Sequence, residues 1–274
     1  MPVSYGLIEP ADLPLPKLPM ALEGLRLAHL SDLHITRHRR RHQRMIDHLA
    51  RMRVDLVLMT GDYMTSAGHE RIAGEVMRRI VDRLAPRIGC FGVFGNHDTA
   101  ELQHDLAELP VHWLNNQTHR LPEHPLEIWG LDMLHHAPPD SLALALNRPD
   151  DDQPQPCPDA DADDRPLKLM LIHRPDDVIT AADLGADLVL AGHTHGGQCR
   201  LPGKRALHNS ASLPLSMSAG LLRYRRTLMA ISRGMGEVLL PLRTFCPPHV
   251  PLYTLRRRPM HGPDDEDIHC LWRW

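Results

Sequence analysis

Aromatic residues are scarce in this 274-residue chain: Phe, Trp and Tyr together make up 4 %. The core must therefore rest on Leu, Val, Ile, Met and Ala, and the stacking platforms that hold single-stranded nucleic acid are excluded. A large charge of one sign is missing too. Lys and Arg number 31 against 34 Asp and Glu, a net charge of −3 with histidine neutral, so no global field draws the chain onto nucleic acid. Cysteine is sparse and unpatterned. Cys90, Cys157, Cys199, Cys246 and Cys270 are odd in number and form no CxxC, which excludes a disulfide framework and a thiolate zinc site and points to a reducing compartment. No apolar run approaches the ~18–20 residues that span a bilayer. The N-terminal stretch has no basic segment followed by an apolar one, so no signal peptide is expected and the reading is a cytoplasmic protein.

What is present is a recurring unit. Short β-prone apolar runs end in polar loops that carry His or Asp: LRLAHLSDLH (25–34), DLVLMTGDY (55–63), CFGVFGNHD (90–98), LKLMLIHRP (167–175) and ADLVLAGHTH (186–195). Runs apolar on both pleat faces suit buried strands covered by helices. Between the first three lie helical patterns, 40–52 with Met45, Ile46, Leu49 and Met52 on one face, and 70–84 with Ile72, Val76, Ile80 and Leu84. Alternating strands and helices predict an α/β layered sandwich, with ligands at the carboxyl ends of the strands. Residues 1–23, rich in Pro, read as an extended lead-in, and 24–257 as one domain. Within it, 136–166 reads as an acidic, mobile insertion, and 258–274 is expected to be a disordered tail.

The five loops carry D-x-H (Asp32, His34), G-D (Asp62), G-N-H-D (Asn96, His97, Asp98), His173 and G-H-T-H (His193, His195). If the strands share one sheet, all five loops meet on one edge. Carboxylates, an amide oxygen and imidazoles without thiolates suit Mn, Fe, Zn or Co far better than Ca. Seven candidate ligands, Asp32, His34, Asp62, Asn96, His173, His193 and His195, exceed the three or four that one catalytic zinc takes from protein. Two ions ~3.5–4 Å apart need a bridging carboxylate, and Asp62, in the middle of the set, is the natural choice. A hydroxide between such ions is a nucleophile at neutral pH, and the ions neutralise phosphoryl charge.

In this order the motifs resemble the calcineurin-like metallophosphoesterase superfamily, over roughly residues 24–257. GHTHGGQ (192–198), Pro202 and SRGMG (232–236) look like a bacterial branch that includes membrane-associated phosphodiesterases and a UDP-2,3-diacylglucosamine pyrophosphatase. The resemblance implies a four-layer α/β/β/α sandwich with two metals at its strand ends. Asp32, His34, Asp62 and His195 would hold the first, and Asp62, Asn96, His173 and His193 the second. It also implies that His97 sits beside the leaving-group oxygen, with Asp98 orienting the imidazole. The membrane helix or export signal of many branch members is not seen, and the 136–166 insertion is longer than usual.

The remaining histidines are read as structural: His29 packs within the first strand, His38, His42 and His48 lie on or near the first helix, and His119, His124, His135 and His136 lie in loops. A basic cluster, Arg37, Arg39, Arg40, Arg41, Arg44, Arg51 and Arg53, follows the D-x-H loop. It reads as a solvated helix face, or as a grip for a diphosphate or anionic headgroups in which Arg37 and Arg39 are the candidate substrate contacts. RYRR (223–226) is a second such patch. The expected activity is metal-dependent hydrolysis of a phosphodiester or pyrophosphate, on a lipid-linked or nucleotide-linked substrate with peripheral contact to an anionic membrane surface. A phosphomonoesterase or phosphoprotein phosphatase is the alternative, since a metal cage reads the phosphoryl group and not its substituents. A scaffold that lost catalysis would lack ligands, and none is missing.

Overall fold

The computed structural model describes residues 7–131, 165–203 and 205–274. The expected insertion at 136–166 lies outside these, apart from its last two residues, as do His135 and His136. In chain order the elements are β1 (Ile8–Pro14), β2 (Arg26–Leu30), α1 (Arg40–Leu49), β3 (Leu56–Thr60), α2 (Glu70–Leu84), β4 (Gly89–Val93) and α3 (Ala100–Leu106). There follow β5 (His112–Trp113), β6 (Gln117–Leu121), β7 (Leu126–Gly130), β8 (Leu167–Leu171), α4 (Val178–Asp183) and β9 (Leu188–Ala191). The chain continues through β10 (Arg200–Leu201), β11 (Arg205–Ala206), β12 (Gly220–Tyr224), β13 (Thr227–Ile231), β14 (Val250–Arg256) and β15 (Ile268–Trp272).

The strands form two large sheets, ordered β1-β14-β2-β3-β4-β5 and β15-β12-β13-β9-β8-β7-β6, with β10 and β11 as a separate ribbon. Pleat alternation explains why the central strands are apolar on both faces. In β3, Val57 and Met59 face the helices α1 and α2 with Ile46, Met77 and Ile80, whereas Leu56 and Leu58 face the other sheet with Leu169 and Leu190. In β8, Met170 turns outward to Val178 and Ala181 of α4. Three cores separate four layers, the α/β/β/α sandwich. The five ligand-bearing strands do not share one sheet, however: β2, β3 and β4 are parallel neighbours in the first, β8 and β9 in the second. Their carboxyl ends nevertheless converge at one end of the sandwich.

Both termini of the described chain belong to the fold. The lead-in is extended, but it joins the first sheet as edge strand β1, parallel to β14, and buries Ile8, Leu13, Leu15, Leu18 and Leu22. Prolines are tolerated there because an edge strand needs no outward ladder bond. The expectation of a disordered tail at 258–274 is corrected. Ile268–Trp272 pairs antiparallel with β12, and Trp274 is buried, its indole Nε1 donating to the Ile231 carbonyl at 2.7 Å. One large apolar side chain in a slot between sheets anchors a stretch whose composition is otherwise that of a linker. His119 sits in β6 and not in a loop.

Candidate metal centre

Each polar loop continues a buried strand, so its side chains emerge at the sheet edges with little freedom. Asp32 (φ 48°), His34 (φ 42°), Asp62 (φ 57°), His193 (φ 69°) and His195 (φ 52°) all occupy the left-handed region, which non-glycine residues visit at a cost. The surrounding backbone over-determines them. Asp32 and His34 donate their N–H groups to the carbonyls of Gly61 and Asp62, each at 3.0 Å. The His193 N–H donates to Asp32 Oδ1 at 2.9 Å, tying the two sheets together. Strain clustered on five chemically active side chains marks a functional edge.

Two groups of ligand atoms converge there. Asp32, His34, Asp62 and His195 each place one within 4.8 Å of the others, and so do Asp62, His173 and His193. Asp62 is common to both. Its Oδ2 lies 3.4 Å from His34 Nε2 and 3.3 Å from His173 Nε2, so a single oxygen stands between the two groups. Ring nitrogens face one another at 3.1 Å (His34 Nε2 and His195 Nε2) and 3.0 Å (His173 Nε2 and His193 Nδ1). The far nitrogens are fixed by carbonyls: His173 Nδ1 donates to Thr60 O at 2.7 Å and His193 Nε2 to Ser210 O at 3.1 Å. Such outer bonds leave His173 Nε2 and His193 Nδ1 as lone-pair donors aimed at the same point. This mixed oxygen and nitrogen set fits transition-metal ions.

The electrostatics agree. Burial alone would raise the carboxyl of Asp62, yet the His173 and His34 imidazoles hold it well below the usual range. Burial drives His195 down to about 3, so it is neutral and ready to ligate. At His173 burial works downward but is outweighed, chiefly by the charge of Asp62, and the group is pushed up to about 9. Without metal, a proton holds the place of a cation on His173. Below pH 9 metal uptake must displace it, so apparent affinity should rise with pH and level off near 9, by roughly tenfold per unit from this proton alone. Calorimetric titration in two buffers of different ionisation enthalpy checks it; uptake near pH 7 without proton release would contradict the assignment.

Asn96 is exposed on the loop between Gly95 and His97. Gly95 packs so closely that a Cβ there would lie 2.3 Å from Asp62 Oδ1 and 2.8 Å from His173 Cε1. Gly95→Ala should therefore displace Asp62 and cost about 1–3 kcal/mol of stability by overpacking, seen as a lower urea midpoint together with lost metal. His97 is half-buried: its N–H donates to Asp62 Oδ1 at 2.9 Å and its Nδ1 to the Thr65 carbonyl at 2.6 Å. Asp98 does not orient that imidazole, contrary to expectation. Its carboxylate accepts backbone N–H groups from Asp62 (2.8 Å), Gly95 (2.8 Å) and Tyr63 (2.7 Å), so it buttresses the two loops that carry Asp62 and His97.

Residues 25–197, more than half of the chain, match the family model for calcineurin-like phosphoesterases. The chain belongs to that family. It is 26 % identical over 255 residues to the uncharacterised metallophosphoesterase YkuE of Bacillus subtilis, covering 87 % of this chain and 82 % of that protein. It is 30 % identical over 220 residues to the phosphodiesterase YaeI of Escherichia coli, covering 73 % and 70 %. A transmembrane protein with a metallophosphoesterase domain from Danio rerio is 30 % identical over 265 residues, covering 87 % of this chain and 56 % of that protein. As a calcineurin-like phosphoesterase the protein is a metal-dependent phosphoester hydrolase, a family with dinuclear metal centres, and both ligand groups suit one.

Other parts of this calcineurin-like phosphoesterase serve the cage without being visible in its motifs. The SRGMG loop after β13 presses on the D-x-H loop: Gly236 N donates to Asp32 O at 2.6 Å, and a Cβ on Gly234 (φ 69°) would meet Asp32 Cβ at 2.5 Å. Arg243, which no motif signals, donates to the carbonyls of Arg233 (2.8 Å), Gly236 (2.6 Å) and His195 (3.1 Å), joining both loops. The basic patches divide. Arg39, expected as a substrate contact, pairs with Glu237 at 2.7 Å; Arg41 pairs with the same carboxylate, while Arg37 is exposed. RYRR forms the β12–β13 turn at the end of the sandwich opposite the cage, where Arg225 pairs with Asp183 at 2.7 Å and Glu266 at 2.9 Å. It is not part of the site.

Proposed function

We propose that this phosphoesterase hydrolyses a phosphodiester or pyrophosphate at a centre of two Mn, Fe or Zn ions held by Asp32, His34, Asp62 and His195, and by Asp62, Asn96, His173 and His193. The observation that carries this reading is the position of Asp62 Oδ2 between His34 and His173. Ions bound there supply a nucleophile at neutral pH and neutralise charge on the phosphoryl oxygens. The chain's own contribution is geometric: left-handed loops pre-set the ligands, and the Thr60 and Ser210 carbonyls select the ring nitrogens that face the ions. His97 holds its Nδ1–H on the Thr65 carbonyl, a bond the doubly protonated ring keeps, so Nε2–H is presented to the leaving oxygen. The relative named a phosphodiesterase supports a diester over a monoester.

The substrate end of the reading rests on a lip of exposed apolar side chains. Leu239 (96 % exposed), Leu240 (61 %), Leu242 (54 %) and Phe245 (65 %) crowd one segment. That segment is bonded through Gln198 and Arg243 to the GHTH loop, and Glu237 ties its start to Arg39 and Arg41. Exposed Arg37, Arg40 and Arg44 flank the same side. Among the described residues no helix is long and apolar enough to cross a membrane. Apolar residues beside exposed cations suit peripheral contact with an anionic bilayer and a lipid-linked phosphoester. The test compares a metal-reconstituted preparation on mono- and bis-(p-nitrophenyl) phosphate and on a long-chain nucleotide-linked pyrophosphate in anionic micelles, before and after chelation. Chelation should abolish all turnover. Leu239→Ser with Leu242→Ser should slow only the micellar substrate. Full activity under chelation refutes the metal reading, and faster cleavage of the monoester favours a phosphomonoesterase.

A further inference from the structure

His29 lies inside β2 and is fully buried, yet it is polar where a leucine would pack. Its Nε2 is 2.9 Å from Thr60 Oγ1, Thr60 Oγ1 donates to Ser31 Oγ at 2.7 Å, and Ser31 Oγ donates to Asp32 Oδ2 at 2.6 Å. Each hydroxyl carries one proton, which fixes the direction of the whole chain. The carboxylate only accepts, so Ser31 spends its proton on Asp32; Thr60 then spends its own on Ser31 and must accept from His29. The neutral imidazole therefore carries its proton on Nε2. Its Nδ1 is buried with no hydrogen-bond partner among the described residues, so the bond to Thr60 is the only one the ring makes. A buried polar ring is costly unless that bond is useful.

The far end of the chain holds one oxygen of Asp32 beside a backbone bond. Oδ2 accepts from Ser31, while Oδ1 accepts the His193 N–H at 2.9 Å and lies 3.5 Å from His195 Nε2. Thr60 acts a second time, because its carbonyl accepts from His173 Nδ1. One residue at the end of β3 thus touches the support of both ligand groups: its hydroxyl faces Asp32 through Ser31, and its carbonyl holds His173.

We propose that His29, Thr60 and Ser31 are positioning residues, a one-directional hydrogen-bond chain that locks Asp32 so that Oδ1 faces the first metal position. Successive donors polarise one another and draw charge from Oδ2, which sets the donor strength of Asp32 as well as its orientation. The inference rests on the two-ion reading above. Packing alone does not account for it, since neither hydroxyl nor imidazole is needed to fill the space.

The experiment is a cobalt(II) titration of the metal-stripped full chain, followed by visible absorption, for the natural chain and four variants. Thr60→Val keeps the shape and the backbone carbonyl and removes the hydroxyl; Thr60→Ser keeps the hydroxyl. His29→Leu removes the donor, and His29→Gln keeps an N–H. The natural chain should take up two equivalents. Thr60→Val and His29→Leu should weaken one of them by about 10–100-fold and shift its absorption band, whereas Thr60→Ser and His29→Gln restore both. Should His29→Leu fail to fold, the isosteric Thr60→Val decides. Unchanged affinities and spectra in Thr60→Val overturn the inference, and so does equal impairment of Thr60→Ser and Thr60→Val. A natural chain that binds no cobalt overturns the two-ion reading and this inference with it; two equivalents with indifferent variants overturn the inference alone.

Discussion

Asp62→Asn is expected to lose bound metal and phosphohydrolase activity together, with turnover falling by at least about 10³-fold, or about 4 kcal/mol of transition-state stabilisation. The size follows from position. Asp62 is common to both converging groups, its Oδ2 within 3.4 Å of His34 and within 3.3 Å of His173. An amide of the same shape still accepts the His97 N–H through its oxygen, but brings no charge to either metal position. The fold should survive at lower stability, because the change removes a desolvated charge but also the partner that the His34 and His173 imidazoles share. Three measurements separate the outcomes. Metal content by elemental analysis should fall towards zero. The stripped variant should still unfold in one cooperative transition, at a midpoint below that of the stripped natural chain. The rise in midpoint on adding metal, worth about 2.7 kcal/mol at a hundredfold excess over Kd, should vanish in the variant. A variant that keeps two ions and full rate would show that Asp62 bridges nothing.

How much of this was legible in the sequence depends on range. Strand ends and the polar side chains that gather there were, because each apolar run stops at a polar residue that cannot be buried without a partner, as at Leu30–Asp32 and Thr60–Asp62. The division of those strands between two sheets was not. A central strand such as β8, with Met170 facing α4 and Leu169 facing the opposite sheet, reads the same whichever sheet it joins. The tail was misread because its order depends on Trp274 and a few neighbours, too little to outweigh a proline- and acid-rich composition. The family resemblance implied that Asp98 orients His97, but the turn swings its carboxylate under backbone N–H groups. Adjacency in sequence does not fix direction in a tight turn. Arg243 and the His29 chain had no local pattern, since they act through contacts between segments far apart.

Replacing His97 should do the opposite of replacing Asp62. His97→Asn is expected to retain both ions and lose about 10²–10⁴-fold in turnover, the range for a positioned general acid. The ring is not part of either converging ligand group; it stands beside them, edge-on to His34 with centroids 4.9 Å apart. Its anchor to Asp62 is the backbone N–H, which the substitution leaves in place. What is lost is Nε2, which the role proposed above turns to the leaving oxygen while Nδ1 is held on the Thr65 carbonyl. The loss should therefore scale with the leaving group. For a p-nitrophenolate, which departs without a proton, the variant should approach the natural rate, and for an alkoxide it should show the full deficit. A plot of log kcat against leaving-group pKa would steepen in the variant. Parallel lines for the two proteins would mean that His97 binds the phosphoryl group without assisting departure, and a loss of metal would place it in the cage after all.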